Sequence, residues 1–165
     1  MTHTGKLRNM ASVFLLRETD ILLLYRQGKS IVSNMWIGSA GGHFEQNELN
    51  DATTCVLREM QEELGLTEGD TENLTLRYIT YRLAGGEIRQ NYYFFGSLKE
   101  DRELTSSEGT LRWIPYDGFE DLNMPVSAKH MILHYLQVGR FDNVLYAGIT
   151  RQNGTDFVPM VEFEG

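Results

Sequence analysis

Most of the chain consists of short runs in which apolar residues alternate with polar ones or follow one another without a break. Both patterns are typical of β-strands, and turn residues at 18–20, 85–86 and 153–154 separate several of the runs. The third run ends just before Gly41 and Gly42. The pattern therefore predicts strands over residues 10–16, 21–26, 33–39, 74–83, 87–98, 111–114, 144–150 and 157–163.

Helical periodicity is present in two segments, residues 50–64 and 125–138. Asn50 or Asp51 can cap the first amides of the former segment, and Gly65 follows it where a left-handed residue ends a helix. The chain has no internal repeat and no Pro- or Ser-rich linker, so we expect one domain that spans all 165 residues. Many strands with two inserted helices predict an α/β (α+β) fold, in which helices cover a mixed β-sheet.

Charge limits the partners that the protein can bind. Asp and Glu together number 23 and Lys and Arg 15, which gives a formal charge of −8. Such a surface repels nucleic-acid backbones, so we expect no nucleic-acid partner. A polyanionic small molecule is repelled as well, unless metal cations lie between it and the protein.

Cysteine content and hydropathy exclude other classes. Cys55 is the only cysteine, which excludes an intramolecular disulfide and a thiolate-rich zinc site, and we expect it to fill apolar space on a helix. No long apolar segment follows the amino terminus, and the apolar run at residues 21–25 has only the length of a strand. We therefore expect no membrane contact and a cytoplasmic location.

The helix predicted at residues 50–64 carries an unusual arrangement of acids. At about 100° per residue, its apolar residues form one stripe that faces the core. Glu63 falls inside the edge of that stripe, Glu59 lies beside it, and Glu62 follows roughly 60° further round. Arg58 is four residues from Glu62 and offers one ionic partner, but one cation does not neutralise three carboxylates.

Two explanations are open for this acidic arc. A helical charge run is usually a solvated face, yet a carboxylate at the edge of the core is costly unless it is paired or bound to a metal. The second explanation is a site for Mg²⁺, which prefers oxygen ligands and bridges carboxylates to substrate phosphates. Such an ion would also remove the obstacle that the acidic surface presents to a polyanionic substrate.

Two segments resemble the signature of the Nudix hydrolases, the MutT-like enzymes that act on nucleoside diphosphates linked to another group X. They are residues 42–48, Gly-His-Phe-Glu-Gln-Asn-Glu, and residues 58–66, Arg-Glu-Met-Gln-Glu-Glu-Leu-Gly-Leu. The second segment matches the signature at every specified position. Nine residues, where the signature has seven, separate Glu48 from Arg58. Either two residues are inserted there, or the glutamate position of the signature falls on Asn50.

The resemblance implies a sandwich with helices on both faces of a mixed sheet and hydrolysis of a phosphoanhydride (pyrophosphate) bond in a small nucleotide-like molecule. It also implies Mg²⁺ as the cofactor, or Mn²⁺ in its place. By position in the signature, the metal ligands are Glu59, Glu62 and Glu63, joined by the backbone carbonyl of Gly42.

Further roles follow from the same resemblance. Arg58 would orient a glutamate without contacting the substrate. Members of the family often take another acid from a late loop, for which Glu108 is the first candidate, with Glu103 and Glu100 behind it. A glutamate held near the metal or the late-loop acid would take a proton from the attacking water, and the spacing does not decide between them.

Substrate contacts have weaker signals. Arg26, at the end of the second predicted strand, can reach a phosphate or lie on the surface as a strand end. Trp36 can stack on a base or belong to the core, and His43 can line the site or make a structural hydrogen bond. Nucleoside triphosphates, ADP-ribose and related nucleotide sugars all agree with the expected chemistry.

An alternative function is a catalytically weak module that senses a nucleotide or ADP-ribose by binding it. The presence of all three helix glutamates favours an enzyme over this alternative. A homodimer formed through exposed hairpin edges, including the carboxy-terminal pair, is also compatible with the sequence.

Overall fold

The fold is built on one mixed β-sheet. The structure is a computed structural model that describes residues 4–28 and 34–165. Its nine strands are β1 (Lys6–Arg17), β2 (Asp20–Arg26), β3 (Met35–Ile37), β4 (Ala40–His43), β5 (Thr71–Ala84), β6 (Glu87–Leu98), β7 (Thr110–Pro115), β8 (Leu145–Arg151) and β9 (Gly154–Met160). Their order is β3-β2-β1-β6-β5-β8-β9, with β4 paired to β1 and β7 paired to β2.

Each predicted strand corresponds to a strand of this sheet, although several bounds differ. The prediction for the last strand was wrong at both ends, because β9 begins at Gly154 and ends at Met160. Ser33, the first residue of the third predicted stretch, lies outside the described residues. The sequence analysis missed β4, since it ended the stretch before Gly41 and Gly42, whereas both glycines pair with β1.

The sheet forks beside β1. Residues 15–17 pair with β2, whereas residues 10–13 pair with β4, so two strands share one edge of β1. Ser39 is fully buried at the branch, where its hydroxyl accepts a hydrogen bond from the Leu15 N–H (3.0 Å) and donates one to the Leu22 carbonyl (2.6 Å). The Ser39 side chain thus makes hydrogen bonds with backbone groups of β1 and β2 at the point where β2 and β4 diverge.

Two α-helices cover the two faces of the sheet, which confirms the predicted layering. They are α1 (Ala52–Leu64) and α2 (Val126–Gln137), and short 3-10 helices occur at Gln46–Glu48, Glu68–Asp70, Tyr116–Gly118 and Gly139–Phe141. Buried residues of α1 pack with Ala11, Val13 and Phe94 on one face of the sheet. Buried residues of α2 pack with Phe14 and Phe95 on the other.

The ends of α1 agree with the cap signals in the sequence. Of the two candidate caps, Asp51 is the one used, and its carboxylate accepts hydrogen bonds from the N–H (3.1 Å) and hydroxyl (2.7 Å) of Thr54. Gly65 ends the helix at a φ of 68°. Cys55 is buried, and burial raises the pKa of its thiol to about 12, as expected for an unreactive filler. No described helix is both long and apolar enough to cross a membrane.

A buried ion pair joins α1 to the connection that follows β4. Glu48 is 1% exposed, and its two carboxylate oxygens accept hydrogen bonds from Nε (2.7 Å) and Nη2 (2.9 Å) of Arg58. The N–H of Glu45 donates a further bond at 2.9 Å. The hydrogen bonds from Arg58 are the main reason why the pKa of Glu48 falls to about 2, against the opposing effect of burial.

Replacing Glu48 by Gln is expected to destabilise the fold by about 3 kcal/mol at neutral pH, because a largely buried guanidinium loses its closest anion. The pKa of Glu48 is lowered on folding, so its contribution is complete above its ordinary value of 4.5 and is lost as the pH falls from there to about 2. Urea unfolding across this pH range measures the effect, and the wild type and Glu48→Gln should converge at the acid end.

Glu45→Gln is the matched control. Glu45 lies 3.6 Å from Nε of Arg58, but 58% of its side chain is exposed. Exposed ion pairs contribute at most about 1 kcal/mol. Equal losses of stability in the two variants would contradict the role of the buried pair.

Candidate active site

The strand β4 brings two glycines beneath α1. Gly41 pairs with Ser12, and Gly42 pairs with Ala11. A Cβ on Gly41 would lie 2.6 Å from the Ala11 carbonyl oxygen, and a Cβ on Gly42 would overlap the carboxylate of Glu59. Because neither glycine has a side chain, β4 can lie close against β1 and the carboxylate of a helix glutamate can lie directly on β4.

Glu59 and Glu63 are the inward-facing acids of α1. Only 12% of the Glu59 side chain is exposed, and Oε2 of Glu63 accepts a hydrogen bond from the N–H of Gly41 (3.1 Å). Burial raises the pKa of both carboxyl groups, and that of Glu63 reaches about 7 because the charges of Glu59 and Glu108 add to the effect of burial. Carboxylates in this condition are stabilised by a cation placed between them.

Arg58 contacts the acids around it and the backbone of β4. Its Nη1 donates hydrogen bonds to Glu59 (2.9 Å) and Glu62 (3.1 Å), and its Nη2 donates one to the carbonyl of His43 (3.1 Å). Glu62 is the exposed member, with 57% of its side chain accessible. An exposed pair four residues apart on a helix contributes only about 0.3–0.5 kcal/mol, so Glu62 is held weakly.

Glu108 lies in the loop before β7, where its carboxylate contacts the end of β2. Nη2 of Arg26 donates a hydrogen bond of 2.7 Å to its Oε2. The charge of Glu108 contributes to the raised pKa of Glu63, after burial and the charge of Glu59. A Cβ on the next residue, Gly109, would overlap the Tyr25 carbonyl, which lets the loop run tightly against β2.

The donor atoms of this cluster suit a hard divalent cation, because they are carboxylate and carbonyl oxygens. As the side chains stand, no three His, Cys, Asp or Glu groups in residues 4–28 and 34–165 converge closely enough to enclose an ion. Arg58 holds Glu59 and Glu62, and the Gly41 N–H holds Glu63. An ion would therefore displace the weak Arg58–Glu62 contact and draw the acids together.

The other candidate residues make different contacts. Trp36 packs on the core cluster that α2 covers, on the sheet face opposite α1. His43 lies beside Gly42, but its Nε2 accepts a hydrogen bond from Nε of Arg8 (2.8 Å), and burial together with the charge of Arg8 lowers its pKa. The remaining loop acids, Glu100 and Glu103, are exposed.

Glu48 is the residue whose position the sequence left open. It bonds Arg58, whereas Asn50 is exposed in the segment between the 3-10 helix and α1. Glu48 is therefore the acid that bonds Arg58 in this chain, at the longer spacing. A local signal was present, because Glu45 and Glu48 form a capping box around the 3-10 helix.

A groove of about 550 Å³ lies elsewhere on the surface, bordered in part by Arg17, Arg102 and Trp113. None of the helix glutamates lines it. The guanidinium of Arg17 lies 4.1 Å from the ring centroid of Trp113 and 3.4 Å from the carboxylate of Asp101, so its charge is already partnered. Size alone therefore does not identify the chemical site of this molecule.

The chain matches the family model described as NUDIX domain over residues 6–135. The matched range contains both signature segments, α1 and the loop that carries Glu108. Comparison with curated proteins gives no match.

Solved structures share the fold at low sequence identity. The mMutator MutT protein of Bacillus halodurans is 22% identical with a TM-score of 0.64, over 91% of this chain and 97% of that chain. A NUDIX hydrolase from Nitrosomonas europaea is 16% identical with a TM-score of 0.68, over 90% and 81%. An Ap4A hydrolase of C. elegans, in a binary complex, is 15% identical with a TM-score of 0.65, over 82% and 99%.

The family match extends over most of the chain and agrees with the resemblance seen in the two signature segments. The shared fold of the solved structures includes the sheet on which β4 and α1 lie. The chain belongs to the NUDIX domain family and is an enzyme of the Nudix hydrolase class.

Proposed function

We propose that this protein uses Mg²⁺ to hydrolyse a phosphoanhydride bond in a nucleoside diphosphate linked to another group X. The observation that carries the proposal is the packing of Glu59 and Glu63, two acids whose pKa is raised by burial, against the glycines of β4. An acidic pocket of this kind has no evident purpose in folding, because it costs stability unless a cation occupies it.

The ligands that we assign to Mg²⁺ or Mn²⁺ are oxygens of Glu59, Glu62, Glu63 and Glu108 and the carbonyl of Gly42. When bound, the ion would offset charge on the phosphoryl oxygens and lower the pKa of a water molecule. This assignment also accounts for how a chain with a formal charge of −8 receives a polyanion.

The other roles in the proposed reaction belong to side chains of the protein. Arg58 positions Glu59 through the hydrogen bond from its Nη1, whereas its contact with the exposed Glu62 is weak enough to be given up when an ion binds. We propose that a carboxylate oxygen of Glu63 or Glu108 that is not bound to the ion accepts the proton of the attacking water. We also propose that Arg26, which bonds Glu108 here, exchanges that partner for a phosphate of the substrate.

The identity of X is best approached with a panel of compounds. Nucleoside triphosphates, ADP-ribose and nucleotide sugars belong in it because they contain the required bond. Ap4A belongs in it as well, because one of the structurally similar proteins is an Ap4A hydrolase. Nucleotide binding by the wild type in Mg²⁺ without turnover of any compound would favour the alternative of a sensing module.

We expect Glu59→Gln and Glu63→Gln each to lower turnover of the best substrate by about 100-fold or more, because each removes an anionic oxygen from the cluster. Both variants should also bind Mn²⁺ more weakly without substrate, as measured by electron paramagnetic resonance. Neither should unfold at a lower temperature than the wild type, because burial makes the ionised form of both carboxyl groups unfavourable.

The control for these variants is Glu72→Gln, an exposed acid on β5. It should retain wild-type turnover and Mn²⁺ affinity. Full activity of either cluster variant, or of the wild type in excess EDTA, would be incompatible with the proposed chemistry.

Gly42→Ala tests the contact between β4 and Glu59. The added Cβ overlaps the end of a flexible side chain, so the fold should adapt while the Glu59 carboxylate is displaced. We expect kcat to fall by about 100-fold, as for a displacement of roughly 1 Å in a catalytic group, with a change in Tm of only a few degrees.

Gly69→Ala provides the comparison for this substitution. The nearest atom to its added Cβ is Oγ1 of Thr67 at an ordinary 3.7 Å, so kcat and Tm should stay at wild-type values. Wild-type kcat in Gly42→Ala would show that Glu59 does not act from its place over Gly42.

A further inference from the structure

A broad apolar area lies on the face of the sheet that α1 covers only in part. Side chains that lie opposite one another on paired strands point to the same side of a sheet, as do alternate residues of one strand. By this register, residues of β1, β5, β6, β8 and β9 form one surface beyond the edge of α1. We call it the bare sheet face and define it by Leu7, Leu83, Ile88, Ile149, Val158 and Met160.

The strand pairings make this surface continuous. Leu7 lies opposite Ile88, which in turn lies opposite Leu83. Tyr81, two residues before Leu83 and therefore on the same side, lies opposite Ile149 of β8. The surface then continues onto β9. Val158 lies opposite Ala147 and Met160 lies opposite Leu145, and both β8 residues are on the same side as Ile149.

The apolar side chains of the bare sheet face are accessible to solvent. The exposed fractions are 58% for Leu7, 62% for Leu83, 59% for Ile149, 61% for Val158 and 51% for Met160. Single exposed apolar residues are ordinary, but a contiguous group of this extent marks a site of interaction on a soluble protein.

Neither helix covers the bare sheet face. In the described part of the chain, α1 packs mainly on β4 and β1, and α2 packs on the opposite face with Phe157 and Tyr146 of the carboxy-terminal hairpin. Phe44 lies over Tyr92, with ring centroids 5.3 Å apart, and marks the border toward α1. Beyond that border the side chains face solvent.

The bare sheet face carries almost no charge, although the chain has a formal charge of −8. Among the described residues that the register places on the β8 and β9 part of this side, the charged ones are Arg151 and Asp156, and they form an ion pair with each other. The β8 and β9 part of the bare sheet face therefore carries no net charge.

We propose that the bare sheet face is a self-association surface, on which a second copy of this chain packs face to face to form a homodimer. Two copies of a strongly acidic protein repel each other unless the contact surface is neutral, and this surface is neutral. A two-fold contact needs only one self-complementary patch, and two apolar sheet faces pack together at about 10 Å.

The area agrees with a stable dimer. An aliphatic side chain of this size loses roughly 60–120 Å² when it is covered. The five most exposed members therefore contribute roughly 300–600 Å² per subunit, a large part of the about 800 Å² that each partner buries in a standard interface. A phospholipid surface is a poorer occupant, because membrane-binding faces are flanked by Lys and Arg and the rest of this surface is acidic.

Sedimentation equilibrium of the full chain tests this proposal. The wild type should change with concentration from 18.9 kDa to twice that mass. Ile149→Asp and Val158→Lys should each raise the Kd of the dimer by about 100-fold, while circular dichroism shows the wild-type fold. Added NaCl should strengthen the dimer, because it screens repulsion between the acidic subunits and breaks no ion pair across the interface.

Phe141→Asp is the matched control, since Phe141 is 68% exposed but lies beside Arg140 outside the bare sheet face. Its Kd should equal that of the wild type. A wild type that stays at 18.9 kDa at every concentration would overturn the proposal, as would a dimer that keeps its Kd in both face variants. Monomers that float with phosphatidylcholine vesicles would assign the face to a membrane instead.

Discussion

An acidic helix can lie beside the core of this protein because one guanidinium is buried among its carboxylates. Arg58 bonds Glu48 on one side and Glu59 on the other. Its bonds lower the pKa of Glu48 to about 2, whereas the pKa of Glu63, which is bonded to a backbone N–H, is raised to about 7. Glu48, which Arg58 binds, is therefore ionised at every physiological pH. Within the described part of the chain, Glu63 has no such partner and can bind another cation.

Local patterns in the sequence predicted the strands, the ends of α1 and the inward-facing acid, because interactions between residues close in the sequence determine these features. Period-two alternation located the strands, Asp51 and Gly65 marked the ends of α1, and the helical wheel placed Glu63 at the edge of the core. The contact between Arg26 and Glu108 joins residues 82 positions apart and exists because β2 pairs with β7, which no local pattern encodes. The short strand β4 was missed because glycines give no apolar alternation.

The family signature and the structure explain different residues of the site. The signature supplied roles for the helix glutamates, whereas the structure gives the reason for the glycines, which leave room for a carboxylate and for a neighbouring strand. The spacing before Arg58 departs from the signature, and in this chain Glu48 bonds the guanidinium while Asn50 lies exposed in the connection to α1.

The fork at Ser39 has a consequence for how such a protein can diversify. The β2 branch pairs with β3 and β7, while the β4 branch carries the glycines beneath α1. Pairing with different parts of β1 fixes the register of each branch, so exposed side chains along the β2 branch can be exchanged without shifting the register of β4. Selection can therefore alter side chains of the β2 branch while the backbone of Gly41 and Gly42 keeps its place beneath α1.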